Sequence, residues 1–348
     1  MVKVDFNNKK VDENIEEYKD ESINPEMIEY LMNIFEKILE GYEISKEEAY
    51  KLSIIDGYTL GKFADQIREK FLGNTFDVCS IINGKSGKCS ENCKFCAQSA
   101  HYNTNVSEYS LLDKETILKE AIHNDSKGVL RFSIVVSGKK LSDKDVDVLV
   151  DVIKEIKEKT NISVCASLGL LSHENFQKLK KAGLERVHNN LETSEDYFEN
   201  ICTTHSYKDK INALKAAQNE GLEVCSGGII GMGETIIDRI NMAFDLRDLK
   251  VSSIPINILN PIKGTPLENV EQISKEEIIK TCALFRFINP KSFIRLAGGR
   301  KLLDDKGELA FMSGINAVIT GDMLTTEGIS IDTDMSIISK LGYKVALG

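Results

Sequence analysis

Residues 129–168 read VLRFSIVVSGKKLSDKDVDVLVDVIKEIKEKTNISVCASL. The stretch opens on a β-branched apolar run, VLRFSIVV (129–136), passes into an amphipathic helical pattern over 144–158, and ends in a second β-branched run, NISVCASL (161–168). Strand, helix and strand in that order specify parallel strands joined by a right-handed crossover. Outward from this unit the rhythm repeats. Strand candidates FDVCSII (76–82), LERVHNNL (184–191), LEVCSGGII (222–230), SSIPINIL (252–259), SFIRLA (292–297) and INAVIT (315–320) alternate with helical patterns over 114–124, 172–182, 206–220, 234–248 and 274–288. Eight strands alternating with helices result, the number that closes a (β/α)8 barrel. A doubly wound open sheet is the alternative, but the glycines of GGIIGMGE (227–234) are not in the G-x-G-x-x-G spacing that marks a dinucleotide fold. The expected class is therefore α/β, a TIM-type barrel.

Ahead of the barrel, residues 1–23 are polar and charged without apolar periodicity, which predicts a flexible arm. Residues 25–72 carry apolar side chains at three- and four-residue steps, among them Met27, Leu31, Phe35, Ile38, Ala64, Ile67 and Phe71, which predicts helices that cover one end of the barrel. The domain division expected is 1–75 for arm and capping helices and 76–348 for the barrel. A length of 348 residues is compatible with this, because a closed α/β barrel takes ~250 residues or more as one unit.

The formal net charge is −10, from 44 Lys plus Arg against 54 Asp plus Glu. That balance disfavours a nucleic-acid binder, which needs clustered cations on phosphates. No run approaches the ~20 apolar residues of a membrane span, and the charged N-terminus has no apolar core of a secretory signal. A cytoplasmic enzyme is expected, and its cysteines are then not structural disulfides. Four of the eight lie close together (Cys79, Cys89, Cys93, Cys96), and four are scattered (Cys165, Cys202, Cys225, Cys282). The grouping points to metal or cluster ligands.

The segment between the first two strands falls at the C-terminal face of a barrel, where active sites sit. It contains CSENCKFC (89–96), a C-x3-C-x2-C spacing. Structural zinc takes four ligands, commonly in paired C-x2-C knuckles, whereas three thiolates on a four-iron cubane leave one iron open for a non-protein ligand. This loop after the first strand resembles the radical S-adenosylmethionine enzymes, in which the amino and carboxylate groups of S-adenosylmethionine occupy the open iron of a [4Fe–4S] cluster held by residues matching Cys89, Cys93 and Cys96. Phe95 matches the aromatic that packs near the adenine.

Further segments narrow the resemblance. NGKSGKCSENCKFCAQSAHYNT (83–104), VHNNLETS (187–194), VCSGGIIGMGET (224–235), SIPINIL (253–259), KGTPL (263–267), IRLAGGR (294–300) and DMLTTEG (322–328) are similar, in order and spacing, to the biotin synthase family over roughly residues 76–345. The resemblance implies conversion of dethiobiotin to biotin. A 5′-deoxyadenosyl radical from S-adenosylmethionine removes hydrogen at C9 and C6, and sulfur comes from an auxiliary iron–sulfur cluster inside the barrel. It also implies a homodimer and a flavodoxin or ferredoxin as electron donor.

In the best-known members the auxiliary cluster is [2Fe–2S], held by three cysteines and an arginine. Cys165, Cys225 and Arg295 match three of these positions. The fourth falls on Ser133, and a neutral hydroxyl is a poor iron ligand. Barrel layers are drawn from alternate strands. With Cys165, Cys225 and Arg295 on the third, fifth and seventh strands, the missing corner is the first, which carries Cys79. Arg295 is either a ligand or a charge and hydrogen-bond partner, and three thiolates suit a two-iron or a larger cluster. Cys202 and Cys282 match no family ligand and are expected to pack.

The resemblance also implies that Asn190 and Glu192 bind S-adenosylmethionine, Glu192 through the ribose hydroxyls, with His205 near the methionyl carboxylate where some members have arginine. Asn190 and Asn257 would bracket the ureido ring of dethiobiotin, and His188, Thr325 and Thr326 would meet its carboxylate tail. The alternatives are another radical enzyme of the same barrel plan, of the hydrogenase-cofactor maturase or methylornithine synthase type, and a non-catalytic zinc or iron–sulfur scaffold.

Overall fold

The computed structural model describes residues 24–347, and the arm expected over residues 1–23 lies outside them. Ten strands form one parallel sheet: β1 (Thr75–Lys85), β2 (Arg131–Val136), β3 (Ser163–Ser167), β4 (Arg186–His188), β5 (Glu223–Cys225), β6 (Gly228–Ile230), β7 (Ser253–Ile258), β8 (Phe293–Leu296), β9 (Ala317–Thr320) and β10 (Lys344–Val345). Neighbours pair in chain order and β9 pairs back onto β1, so the sheet closes. β5 and β6 share the fifth of eight positions, and both pair with β7. β10 adds to the first residues of β1. The barrel expected from the strand–helix rhythm is the fold observed.

One expected strand, 222–230, is divided. A Cβ at Gly227 would stand 1.9 Å from the Pro255 carbonyl oxygen, and the Gly227 N–H donates to the Asn190 side chain at 3.1 Å. The chain there presses against β7 instead of running straight, a close approach that only glycine permits.

Three helices precede the barrel: α1 (Pro25–Leu39), α2 (Lys46–Leu52) and α3 (Gly57–Leu72). α3 lies along a later helix, with Gly57 donating to Glu276 at 2.5 Å, and reaches the turn before β9, where Gly314 faces Ala64. The others are α4 (Lys114–Ser126), α5 (Asp143–Lys159), α6 (His173–Ala182), α7 (Glu195–Phe198), α8 (Tyr207–Asn219), α9 (Ile236–Asp248), α10 (Lys275–Ile288), α11 (Glu308–Phe311) and α12 (Ile331–Lys340). The six long crossover helices α4, α5, α6, α8, α9 and α10 each begin at a short polar residue, from Asp113 and Ser142 to Ser274, whose side chain accepts a first-turn amide. Such a cap contributes about 1 kcal/mol. α5 buries Val146, Leu149, Val152, Ile153 and Ile156, the three- and four-residue steps that lay one apolar stripe on the sheet. Among the described residues no helix is long and apolar enough to cross a membrane.

Candidate active site

The strand register puts four side chains at one level inside the barrel. From Cys79 the ladder crosses Arg131 to Ser163 on β3, and two residues further along β3 is Cys165. From Cys165 it crosses Arg186 to Glu223, two residues before Cys225. From Cys225 it crosses Ser253 to Phe293, two residues before Arg295. From Arg295 it crosses Ala317 to Asp77, two residues before Cys79. Four offsets of two residues make up the shear of a closed eight-stranded barrel, so the four side chains form one layer. All four line a cavity of about 330 Å³. Ser133 also lines it, but it stands on β2, level with Cys165 along the ladder and outside the layer.

Asp77 ties this floor together. One carboxylate oxygen accepts from Arg131 Nε at 2.8 Å and the other from Arg295 Nη2 at 2.8 Å, while Arg295 Nη1 donates to the Val318 carbonyl at 2.6 Å. Burial alone would raise the Asp77 carboxyl, but the Arg295 and Arg131 guanidiniums outweigh it and hold the pKa at about 2. Burial pushes the Cys165 thiol up to about 11 and raises Cys79 as well. Cys225 is buried too, yet the His188 ring, Arg295 and Arg186 bring it down to about 6.

Above the layer, Cys89, Cys93 and Cys96 line a second cavity of about 180 Å³. The loop is folded on itself by Cys89 N–H to the Gln98 carbonyl at 3.0 Å and Ala100 N–H to the Cys89 carbonyl at 2.8 Å. Phe95, His188, Asn190 and Glu192 border both cavities, so the two meet at these residues. Glu192 is held at φ +75°, a conformation that costs a non-glycine residue about 1–3 kcal/mol. Its backbone is pinned between Gly227 and Ile229, and its buried Oε2 has no hydrogen-bond partner. A buried carboxylate oxygen without a donor is costly, and a ligand hydroxyl is the donor this position suits.

Asn257 donates to the Gly228 carbonyl at 3.0 Å and accepts from Gly298 N–H at 2.9 Å, leaving one further hydrogen and one lone pair for a ligand. Thr325 and Thr326 line the larger cavity from the loop after β9, which Asn83 fastens through the Leu324 carbonyl at 2.9 Å. His205 is buried, with Nδ1 2.6 Å from Glu91. Every candidate site residue of the sequence thus lies on one of the two adjoining cavities.

Cys282 and Cys202 are both buried in the hydrophobic core, as expected of them, but Cys202 also has polar neighbours. Its sulfur lies 3.3 Å from His205 Nδ1 and close to Cys93. Sequence reasoning also passed over Asp77, Glu91, Arg131 and Lys210. Asp77 shares the inward period of Cys79 and Ile81, a signal present in FDVCSII. Lys210 lines the loop cavity, with Nζ 3.1 Å from Asn189 and 3.9 Å from Glu192, but on α8 it reads as an ordinary solvent-facing lysine.

The donor sets can be tested against what they would hold. A single tetrahedral ion draws its sulfurs to about 3.8 Å of one another. Among the described residues, the one group of three or more such ligands gathered within 4.8 Å is Cys93, Cys202 and His205. Neither Cys89–Cys93–Cys96 nor Cys79–Cys165–Cys225 is gathered so closely, and each set borders open volume. Three spread thiols beside a cavity fit a polynuclear iron–sulfur cluster better than a zinc ion.

Residues 85–246 match the model of the radical SAM superfamily, and residues 255–344 match the biotin and thiamin synthesis associated domain. The chain is 57% identical over 312 residues to a biotin synthase of Brachyspira hyodysenteriae, covering 90% of this chain and 94% of that one. It is 51% identical over 315 residues to a biotin synthase of Akkermansia muciniphila, covering 90% and 98%. Among solved structures, methylornithine synthase superposes with a TM-score of 0.79 at 20% identity, covering 90% of this chain and 97% of that one. A maturase of the [FeFe]-hydrogenase superposes with a TM-score of 0.76 at 21% identity, covering 90% and 75%. At those identities the two structures speak for the fold alone.

Proposed function

The chain belongs to the biotin synthase family, and from that premise we propose how its two cavities divide the conversion of dethiobiotin to biotin. The loop cavity is the place of S-adenosylmethionine and of a [4Fe–4S] cluster on Cys89, Cys93 and Cys96. The barrel cavity is the place of dethiobiotin and of an auxiliary iron–sulfur cluster on Cys79, Cys165 and Cys225. When bound, the first cluster supplies the electron that turns S-adenosylmethionine into methionine and a 5′-deoxyadenosyl radical, and the second supplies sulfur. The protein's part is to bind, orient and exclude water.

Glu192 accepts from the ribose hydroxyls, with Phe95 against the adenine and His205 toward the methionyl carboxylate. Asn190 and Asn257 offer donor and acceptor to the ureido ring, as a urea requires. His188, Thr325 and Thr326 receive the carboxylate tail. Arg295, clamped by Asp77 and the Val318 carbonyl, serves the auxiliary site as a fixed cation and hydrogen-bond donor, since a guanidinium does not deprotonate. Ile81, Val135 and Ile229 line the same cavity and keep it apolar between these polar contacts.

The observation that carries this reading is the single inward layer of three cysteines and an arginine beneath the loop cysteines, a feature that a barrel making one radical and no carbon–sulfur bond does not require. The rest of the proposal is a cytoplasmic homodimer of a barrel over 76–348 preceded by 1–75, reduced by a flavodoxin or ferredoxin. Anaerobic reconstitution with iron and sulfide counting tests the core of it. Two clusters per chain and biotin formed on reduction are expected; a fully reconstituted chain that carries one cluster, or none, would overturn the reading.

A further inference from the structure

Cys202, Glu91 and the His205 side chain are buried at the cluster loop, and neither Cys202 nor Glu91 has a part in the function proposed above. Glu91 Oε2 lies 2.6 Å from His205 Nδ1, and its other oxygen accepts from Ser90 at 2.9 Å. A carboxylate at Nδ1 fixes the tautomer with the proton there and leaves the Nε2 lone pair free, as in carboxylate–histidine–metal arrangements. Nε2 is 3.8 Å from the Cys202 sulfur. Metal–sulfur and metal–nitrogen bonds of about 2.3 and 2.0–2.1 Å at a tetrahedral angle place the two ligand atoms about 3.6 Å apart. The Cys93 sulfur completes a set with Cys202 and one nitrogen of the His205 ring within 4.8 Å, and the adjoining cavity, bordered by Cys93, Glu91 and His205, gives access and room for a water as fourth ligand.

We infer that, in the cluster-free chain, Cys93, Cys202 and His205 hold one thiophilic divalent cation, with Glu91 orienting the imidazole. Two thiolates and an imidazole favour Zn²⁺, Fe²⁺ or Co²⁺ over oxygen-loving Mg²⁺ and Ca²⁺. On binding, the Cys93 and Cys202 thiols release their protons to solvent. Because Cys93 also belongs to the C-x3-C-x2-C loop, the single ion and a cluster on that loop exclude each other. The site is thus a competing state of the loop, one in which bound zinc delays cluster assembly.

The test is a Co²⁺ titration of the full chain, freed of iron and zinc by chelation under anaerobic conditions. One equivalent is expected, with thiolate-to-cobalt charge transfer and the visible bands of tetrahedral Co²⁺. Cys202→Ser and His205→Gln should each weaken binding by at least about tenfold, and Glu91→Gln by about 10- to 100-fold. Cys89→Ala should bind as the unaltered chain does, whereas the chain reconstituted with its loop cluster should show no such bands. If Cys202→Ser fails to fold by circular dichroism, His205→Gln decides. Unchanged Co²⁺ affinity and spectrum in the folded Cys202 or His205 variant would overturn the inference, as would loss of binding in Cys89→Ala, which would assign the ion to the loop triplet.

Discussion

The proposed auxiliary site turns on two residues of neighbouring strands, Ser133 and Cys79. Ser133 sits beside Cys165 on the ladder, yet the barrel's shear carries the layer past it to Cys79. Thiolate is a far better iron ligand than a hydroxyl. Cys79→Ser should therefore lose the auxiliary iron and sulfide while the loop cluster persists, and Ser133→Ala should keep both; iron counting with Mössbauer spectroscopy separates the two outcomes. Asp77 belongs to the same scale. Its carboxyl, held at about 2 against an ordinary 3.8, contributes stability fully present above about pH 4 and lost as pH falls through about 2, roughly 2 kcal/mol in all. Asp77→Asn takes the carboxylate from the buried Arg295 guanidinium and the nearer of two from Arg131, which keeps Glu223 at 3.9 Å. It should cost about 3–5 kcal/mol at neutral pH and flatten the acid limb, as measured by urea unfolding of the cluster-free chain between pH 7 and pH 2.

The strands and helices were legible because their periodicities differ and because most long helices open on a capping residue. The pattern expected over 144–158 is α5 at Asp143–Lys159, started by the Ser142 cap. The division of 222–230 into β5 and β6 was not legible, since it depends on how closely Gly227 meets Pro255 on a strand distant in sequence. Gly227→Ala tests that contact. Its methyl would meet backbone rather than a yielding side chain, so the variant should lose about 1–3 kcal/mol and shift Cys225, two residues away. Thermal unfolding should show the loss, and reconstitution should yield less auxiliary cluster with the loop cluster intact. For the site, the loop cysteines and Cys165, Cys225 and Arg295 were legible as motif. Asp77, Glu91 and Lys210 were not, because each meets the site only through partners on other elements, Arg295, His205 and Asn189.

Across the whole molecule, the barrel does not choose the reaction, since methylornithine synthase shares it at a TM-score of 0.79 and 20% identity. What distinguishes this chain is two donor sets held by independent means. The loop cysteines depend on hydrogen bonds within their loop and to residues 201–204, whereas the inner cysteines depend on strand register. Removing an inner thiol leaves the loop and its cavity in place, so Cys165→Ala or Cys225→Ala should still cleave S-adenosylmethionine under reducing conditions while biotin falls below detection. Cys93→Ala should abolish both products. At the junction of the cavities, Glu192→Gln keeps the side chain's shape but weakens the acceptor proposed for the ribose hydroxyls. The worth of a charge-assisted hydrogen bond, about 1.5–3 kcal/mol, corresponds to a rise of about 10- to 100-fold in the KM for S-adenosylmethionine, with the ratio of deoxyadenosine to biotin unchanged. Chromatographic quantitation of both products in these variants checks the division. Normal biotin from Cys225→Ala, or an altered product ratio with unchanged KM in Glu192→Gln, would mean that the two cavities do not separate radical formation from sulfur insertion.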